Sequence, residues 1–300
     1  MKEQGKITYH LLALFTIIVW GTTYVSTKVL LLHGFNPVEI LICRFSLAYV
    51  FIWIFSPKKI FSDCWTDELQ MLGLGLFGGS LYFMAENTSL SITLVSNVSL
   101  ITATAPILTA IVAHCFSKGY RMDRNIIYGS IVALIGVIFV VYNGNYVFKI
   151  NPIGDFLAFC GALMWAFYGL LLKRMGNKYS STFITRKVFF YGVVTLIPIM
   201  NHYVHFSIGM FRLPEVWGNL LFLGLIASFL CYLTWNVASN KLGVVCVSNY
   251  IYVSPAVTLI SAAIVLHERI TLMAIVGAAF ILLGVYVAQK GFKLPVKRLQ

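Results

Sequence analysis

Residues 9–32 read YHLLALFTIIVWGTTYVSTKVLLL, a stretch in which Lys28 is the only side chain that is charged at neutral pH. A helix of about 20 apolar residues spans the hydrocarbon core of a bilayer, so this stretch is long enough to cross a membrane. The whole chain has the same character, because 59% of its 300 residues are hydrophobic and 11% are charged. Soluble domains carry about 25% charged residues. We therefore expect lipid to cover most of the protein surface.

Apolar runs of similar length continue along the chain, separated by charged residues, Gly, Pro or Asn. With the first run they predict spans at residues 9–32, 37–55, 69–89, 92–116, 125–143, 152–174, 182–202, 215–238, 244–266 and 270–289. Backbone N–H and C=O groups find no water in lipid, so each span must satisfy these groups within a helix. The sequence thus predicts an all-α membrane protein with ten transmembrane helices.

Lysine and arginine are unequally divided between the two sides that this topology creates. If the N-terminus is cytoplasmic, seventeen of the 22 Lys and Arg residues fall in or beside cytoplasmic segments. Only Lys149, Arg212 and Arg269 then fall outside. Because cytoplasmic loops of membrane proteins carry an excess of Lys and Arg, we expect both termini to lie on the cytoplasmic side of the inner (plasma) membrane.

A series of residues recurs at a nearly constant distance along the chain. The pairs, which lie 145 or 149 residues apart, are Trp20 and Trp165, Lys28 and Lys173, Gly75 and Gly224, Asn87 and Asn236, and Pro106 and Pro255. The series predicts two related halves, residues 1–145 and residues 150–300, with five spans each. An odd number of spans inserts the second half upside down relative to the first, which is an inverted repeat of the kind found in many secondary transporters.

Aromatic and polar side chains occur near the middle of several spans. Those that we assign to the lining of a substrate cavity are Trp20, Tyr24, Tyr82, Thr102, Trp165, Tyr168, Asn249 and Tyr252. Helical spacing places Trp20 and Tyr24 on one face of the first span. Rings with a polar atom suit a pocket for a small amphipathic or aromatic molecule, although helix packing and interfacial anchoring explain them equally well.

Two charged residues within the spans are candidates for a functional role. Arg44 could pair with a carboxylate and Glu86 could carry a coupling proton, because an ionisable group in lipid normally faces a cavity or a partner. Snorkelling toward the membrane surface is the simpler explanation for Lys28 and Glu39.

Pro106 and Pro255 fall inside the fourth and ninth predicted spans. Proline lacks a backbone N–H and kinks a helix. Matched kinks would suit gating by both halves, whereas simple tolerance of proline in a membrane helix is the alternative explanation.

Other features argue against several functions. The net charge of +12 is distributed between apolar runs, as membrane topology requires, so we expect no binding to nucleic acid. The six cysteines form no CxxC pair, which indicates neither a disulfide framework nor a metal site. No phosphate-binding loop, zinc-protease motif or nucleophile elbow is present. We therefore expect no metal, no cofactor and no enzymatic activity.

Short motifs occur in a fixed order along nearly the whole chain. They are Trp20-Gly21-Thr22-Thr23-Tyr24, Arg44-Phe45, Glu86-Asn87-Thr88-Ser89-Leu90, Ala105-Pro106, Gly161-Ala162-Leu163-Met164-Trp165-Ala166, Ser254-Pro255 and His267-Glu268-Arg269. In this order they resemble the drug/metabolite transporter superfamily, specifically its EamA-type permeases with ten helices. The resemblance implies a secondary transporter, commonly an exporter of amino acids, related metabolites or drugs, with a central cavity between its halves. The Gly-Glu-Arg-type turn that often follows the fourth span in this family is missing from residues 117–121.

Two other classes of membrane protein remain open: a channel or lipid-handling protein, and a membrane enzyme that acts on lipid. A channel usually has a charged or carbonyl-lined filter, and an enzyme has catalytic side chains clustered at one membrane face. The sequence shows neither pattern. We expect a small-molecule substrate and a surrounding lipid bilayer, and the oligomeric state stays open, with a monomer being sufficient.

Overall fold

The computed structural model describes residues 3–56, 59–93, 95–117, 123–142, 152–266 and 272–290. All regular secondary structure within these ranges is helical. Residues 118–121, residues 267–269 and the basic residues after 290 lie outside these ranges.

The first predicted half contains seven α-helices in the described ranges. They are α1 (Glu3–Leu32), α2 (Pro37–Phe55), α3 (Trp65–Gly75), α4 (Leu81–Ile92), α5 (Val95–Thr102), α6 (Ala105–Phe116) and α7 (Arg124–Tyr142). A π-helical segment, Leu76–Ser80, joins α3 to α4.

The second predicted half contains eight α-helices in the described ranges. They are α8 (Pro152–Met175), α9 (Ser181–Val194), α10 (Ile197–Tyr203), α11 (Pro214–Leu221), α12 (Cys231–Leu242), α13 (Val244–Ser248), α14 (Ser254–Leu266) and α15 (Leu272–Lys290). A π-helical segment, Phe222–Leu230, joins α11 to α12, and a 3-10 segment, Asn249–Val253, joins α13 to α14. A second 3-10 segment, Ile208–Arg212, precedes α11.

Several helices are long and apolar enough to cross a membrane. By length and composition, five qualify among the described residues: Lys6–Leu32, Pro37–Phe55, Pro152–Met175, Pro214–Leu242 and Val244–Val265. The pair α9 and α10, bent by 50° between its members, would be a sixth. The protein is therefore an all-helical, multi-pass membrane protein.

The fourth predicted span, 92–116, is two helices and not one. α5 ends at Thr102, and α6 begins at Ala105 with Pro106 in its first turn. Pro106 has no N–H to donate to the carbonyl of Thr102, four residues earlier, so the helical hydrogen bonding is interrupted there. The ninth span is interrupted similarly, because the 3-10 segment immediately precedes Ser254 and Pro255.

Glu39 has a local structural role in place of the predicted snorkelling. The Asn36 side chain accepts hydrogen bonds from the backbone N–H groups of Val38 and Glu39, both at 3.0 Å. Glu39 Oε2 accepts from the Asn36 N–H at 2.9 Å, which completes a capping box at the start of α2. Lys28 likewise has a protein partner, since its Nζ donates to the Leu90 carbonyl at 2.9 Å.

Helices α7 and α15 pack backbone to backbone through small residues. A Cβ atom added at Gly284 would lie 2.5 Å from the backbone nitrogen of Ala133, and one added at Gly136 would lie 2.6 Å from the Gly277 carbonyl oxygen. Glycine and alanine are thus required at this crossing, as is common where membrane helices approach closely.

A core of large rings lies between α2, α8, α9 and α12. Its fully buried members include Phe45, Tyr168, Phe189, Tyr232 and Trp235. The rings of Phe45 and Phe189 lie 5.0 Å apart, and those of Phe189 and Tyr232 lie 5.5 Å apart. This packing fixes the ring of Tyr232, which forms part of a central cavity.

Candidate functional site

The central cavity lies where helices from both predicted halves meet. Its volume in this conformation is about 50 Å³. The lining residues are Ile17, Trp20, Thr23, Tyr24, Arg44, Tyr82, Phe83, Glu86, Thr102, Ala105, Ala162, Trp165, Tyr232, Ile251 and Ser254. The lining is mostly apolar with a few polar groups, which is the composition of sites that bind small organic molecules.

Four aromatic rings form one wall of the cavity. Trp20 and Trp165 meet edge to face with centroids 5.2 Å apart, and Tyr82 lies 5.2 Å from Trp165. Tyr232 lies 5.6 Å from Trp20. The indole N–H of Trp20 donates to the Ala227 carbonyl at 2.8 Å. That bond satisfies the polar atom of Trp20, so its ring can contact an apolar part of a solute.

Hydroxyl groups contribute a polar part of the lining. The Tyr24 hydroxyl lies 2.8 Å from Thr102 Oγ1, and Thr102 Oγ1 lies 2.8 Å from the Val98 carbonyl oxygen. Because a threonine hydroxyl has a single hydrogen, donation to Val98 leaves Thr102 to accept from Tyr24. This contact connects α1 with α5 at the end of α5, next to the break before Pro106.

Arg44 and Glu86 are the charged residues of the lining. Arg44 Nε donates to Ser228 Oγ at 2.9 Å, and the guanidinium carbon lies 4.2 Å from the centroid of the Phe83 ring. The Tyr82 hydroxyl donates to Glu86 Oε2. Within the described residues, Arg44 has no carboxylate oxygen within 4.0 Å, so the ion pair considered from the sequence is not formed. Arg44 instead contacts Ser228 and Phe83, and Glu86 accepts from Tyr82.

Five of the eight predicted lining residues border the central cavity: Trp20, Tyr24, Tyr82, Thr102 and Trp165. Tyr168 is fully buried elsewhere, where its hydroxyl donates to Asn236 Oδ1 at 2.6 Å. Asn236 Nδ2 in turn donates to Thr185 Oγ1 at 2.8 Å, so Tyr168 belongs to a packing network. Tyr252 is also fully buried and borders neither described cavity.

Asn249 borders a second cavity with a volume of about 330 Å³. Its lining includes Thr109, Ala113, Gly169, Lys173 and Asn249. Both cavities are bordered by α6 and α8, because Ala105 and Trp165 line the central cavity while Thr109 and Gly169, one turn farther along, line the second. The two cavities thus follow each other along the same helices.

Tyr232 is a lining residue that single-residue reasoning missed. The 149-residue spacing of the repeat pairs it with Phe83, which also lines the cavity. Phe83 was not predicted either, so the repeat alone would not have identified Tyr232 from the sequence. Ser254, which was considered only together with the kink at Pro255, lines the cavity too.

Comparisons with known proteins agree on one family. The model of the EamA-like transporter family matches the chain twice, at residues 7–142 and 152–289. An uncharacterized transporter of Bacillus subtilis, YyaM, is 30% identical over 275 residues, which are 87% of this chain and 87% of that protein. A protein of Escherichia coli named "Probable amino-acid metabolite efflux pump" is 23% identical over 94% of this chain and 95% of its own length. A protein crystal structure that shares 18% identity, and covers 94% of this chain and 96% of its own, superposes with a TM-score of 0.75, which supports the fold.

Proposed function

The chain belongs to the EamA-like transporter family, and on that premise we propose that it is a secondary transporter that exports small organic metabolites, amino acids first among them. One observation carries the proposal. A cavity lined by aromatic rings, a guanidinium and a carboxylate lies among helices of both segments that match the family. Two related proteins, from Escherichia coli and Salmonella typhimurium, are each named "Probable amino-acid metabolite efflux pump".

The proposed architecture is ten spans in two inverted halves, residues 1–145 and 150–300, with both termini in the cytoplasm. The two π-helical segments support this assignment, because Leu76–Ser80 moved by 149 residues falls within Phe222–Leu230. Such irregular turns in membrane helices occur frequently at functional sites. The proposed location is the inner (plasma) membrane, and a single chain contains the whole cavity.

The proposed mechanism is alternating access through the central cavity. The helix breaks before Pro106 and Pro255 adjoin lining residues, since Ala105 and Ser254 immediately precede the two prolines. A change in bend at either break would therefore move the cavity wall. Glu86 is the proposed coupling group, because it is a carboxylate in the cavity whose loss of charge would alter the interior of the site.

Substrate exchange by purified protein in proteoliposomes tests the proposal. Counterflow of radiolabelled amino acids should be measured for the wild type, Trp165→Ala and Trp65→Ala. Trp165 lies in the cavity wall, whereas Trp65 is 81% exposed and outside the cavity, which makes it a matched control. We expect Trp165→Ala to lose at least tenfold in apparent affinity and Trp65→Ala to behave like the wild type.

The pattern of flux separates transport from the remaining alternatives. An alternating-access protein exchanges solute one-for-one and saturates, whereas a channel passes solute without exchange. Linear flux, or no flux of any solute by folded protein, would overturn the proposed function. For coupling, Glu86→Gln should lose flux driven by a pH gradient while keeping counterflow, and unchanged gradient-driven flux would remove Glu86 from that role.

A further inference from the structure

The guanidinium of Arg44 is buried, and most of its N–H donors have no hydrogen-bond acceptor among the described residues. Arg44 is 2% exposed and borders the central cavity. A guanidinium has five N–H donors. One of them, at Nε, is used by Ser228 Oγ, and the described residues provide no hydrogen-bond acceptor for the two terminal nitrogens.

The neighbours of Arg44 hold its orientation and do not neutralise its charge. Ser228 is uncharged, and Phe83 offers only its ring face, 4.2 Å from the guanidinium carbon. Glu86 borders the same cavity but accepts from Tyr82, and it lies beyond ion-pair distance of Arg44. Glu86 acts on the Arg44 charge from a distance, but no carboxylate of the described residues contacts the terminal nitrogens, so an anion that enters the cavity would find free N–H donors there.

We propose that Arg44 binds the carboxylate of the transported solute through its terminal nitrogens. A planar guanidinium can donate two parallel hydrogen bonds to one carboxylate, and such bidentate pairs are strong and directional. The wall of Trp20 and Trp165 lies in the same cavity and is available to the apolar body of the solute. The solute class is a zwitterionic α-amino acid with an apolar or aromatic side chain.

This assignment rests on the proposed function for its biological meaning, but binding tests it separately from transport. Purified full-length protein should be titrated with three compounds of similar shape: phenylalanine, phenethylamine, which lacks the carboxylate, and 3-phenylpropionate, which lacks the ammonium. Binding is followed by competition against a radiolabelled aromatic amino acid and by tryptophan fluorescence. We expect the wild type to bind phenylalanine at least tenfold more tightly than phenethylamine.

Three variants then assign the preference to a residue. Arg44→Gln should abolish the preference for phenylalanine over phenethylamine, and Arg44→Lys should retain part of it, because lysine keeps the charge but loses the planar fork. Ser228→Ala is the matched control, since it removes the contact at Nε and leaves the terminal nitrogens in place. It should change the preference by less than threefold. If Arg44→Gln does not fold, Arg44→Lys still decides the question.

Several outcomes would overturn the assignment. Equal binding of phenylalanine and phenethylamine by the wild type would do so, and so would an equal loss of all three compounds in a folded Arg44→Gln variant. Exchange of uncharged solutes alone would refute the role of Arg44 while leaving the proposed transport intact. An Arg44-dependent preference without any flux would refute transport and keep the carboxylate site.

Discussion

Neutralising Glu68 should destabilise the protein more than any comparable change at an exposed ion pair. Glu68 lies in the first turn of α3, just before the predicted third span, and it is buried. Its carboxylate pairs with Lys187 Nζ and accepts from the Tyr191 hydroxyl, and the Ser62 N–H donates to Oε2 at 2.7 Å. We call Glu68 with Lys187 and Tyr191 the α3–α9 ion cluster.

The expected loss in the free energy of unfolding follows from the pKa of the Glu68 carboxyl. Burial alone would raise that pKa, but the hydrogen bonds from Lys187, Tyr191 and Ser62 outweigh burial and lower it from 4.5 to about 2. Each tenfold change in acid dissociation is worth about 1.4 kcal/mol, so the ionised carboxylate stabilises the fold by about 3 kcal/mol at neutral pH. Glu68→Gln should lower the free energy of unfolding by about this amount.

The stabilisation by Glu68 should decrease as the pH falls. The pKa of Glu68 is lower in the folded than in the unfolded protein, so its stabilisation is complete above about pH 4.5 and is lost as the pH falls toward 2. The difference between wild type and Glu68→Gln should shrink to about half by pH 3 and nearly vanish at pH 2.

Denaturant titration in detergent micelles, followed by tryptophan fluorescence at pH 7 and pH 3, measures both quantities. Lys59→Gln is the control, because the pair of Lys59 with Asp63 is 46% and 69% exposed and should contribute under about 1 kcal/mol. A difference for Glu68→Gln below about 1 kcal/mol at pH 7, or one that is the same at pH 3, would contradict the reasoning.

Three further substitutions test the packing of the helices. Gly284→Val should destabilise the protein by about 1–3 kcal/mol in the same titration, because its Cβ would lie 2.5 Å from the Ala133 backbone nitrogen. Gly218→Ala, whose Cβ would have nothing within 4 Å, should be neutral or slightly stabilising, and equal effects of the two would refute the α7–α15 packing. Tyr168→Phe should cost about 1–3 kcal/mol by leaving Asn236 Oδ1 without its donor, while solute affinity stays unchanged. A tenfold change in affinity would instead place Tyr168 in the substrate site.

Composition predicts the helical membrane fold well because lipid imposes a simple rule on the backbone. Within the described residues the predicted spans are mostly helical, although turns at residues 103–104 and 195–196 interrupt two of them. The family match covers residues 7–142 and 152–289. The helix breaks were less predictable. The missing N–H of Pro106 indicates a kink, but whether a helix bends or ends there depends on its neighbours, and here α5 ends at Thr102.

Lining residues were predicted correctly where the face of the helix alone determines contact with the cavity. They were predicted wrongly where the position along the membrane normal also matters. Trp165 and Tyr168 share a face of α8, but they lie about one turn apart along the membrane normal, and only Trp165 reaches the cavity. Asn249 and Tyr252 fall in a 3-10 segment, where three residues per turn replace 3.6. An α-helical wheel therefore gives the wrong face for Tyr252.

The contacts between the two predicted halves differ at the two ends of the bundle. At one end, the α3–α9 ion cluster joins Glu68 to Lys187 in a buried pair. At the other end, the corresponding connection is weaker: Glu39 Oε1 accepts from the His205 N–H at 2.8 Å, and His33 lies 3.7 Å from an exposed Glu215. If residues that are 149 positions apart correspond in the two halves, Trp217 occupies the position that corresponds to Glu68.

This asymmetry has a consequence for alternating access. Opening the bundle at the α3–α9 end must separate a buried ion pair, which leaves charges without partners, whereas opening the other end breaks neutral or exposed contacts. An inverted repeat with identical halves would have equal energies for its two open states. Here the positions that differ between the halves, Glu68 and Lys187 on one side and Trp217 on the other, should favour the state that is closed at the α3–α9 end. If the protein transports as proposed, substrate binding in the central cavity would have to supply free energy for the opposite state, because a ligand shifts the equilibrium only by its difference in affinity for the two states.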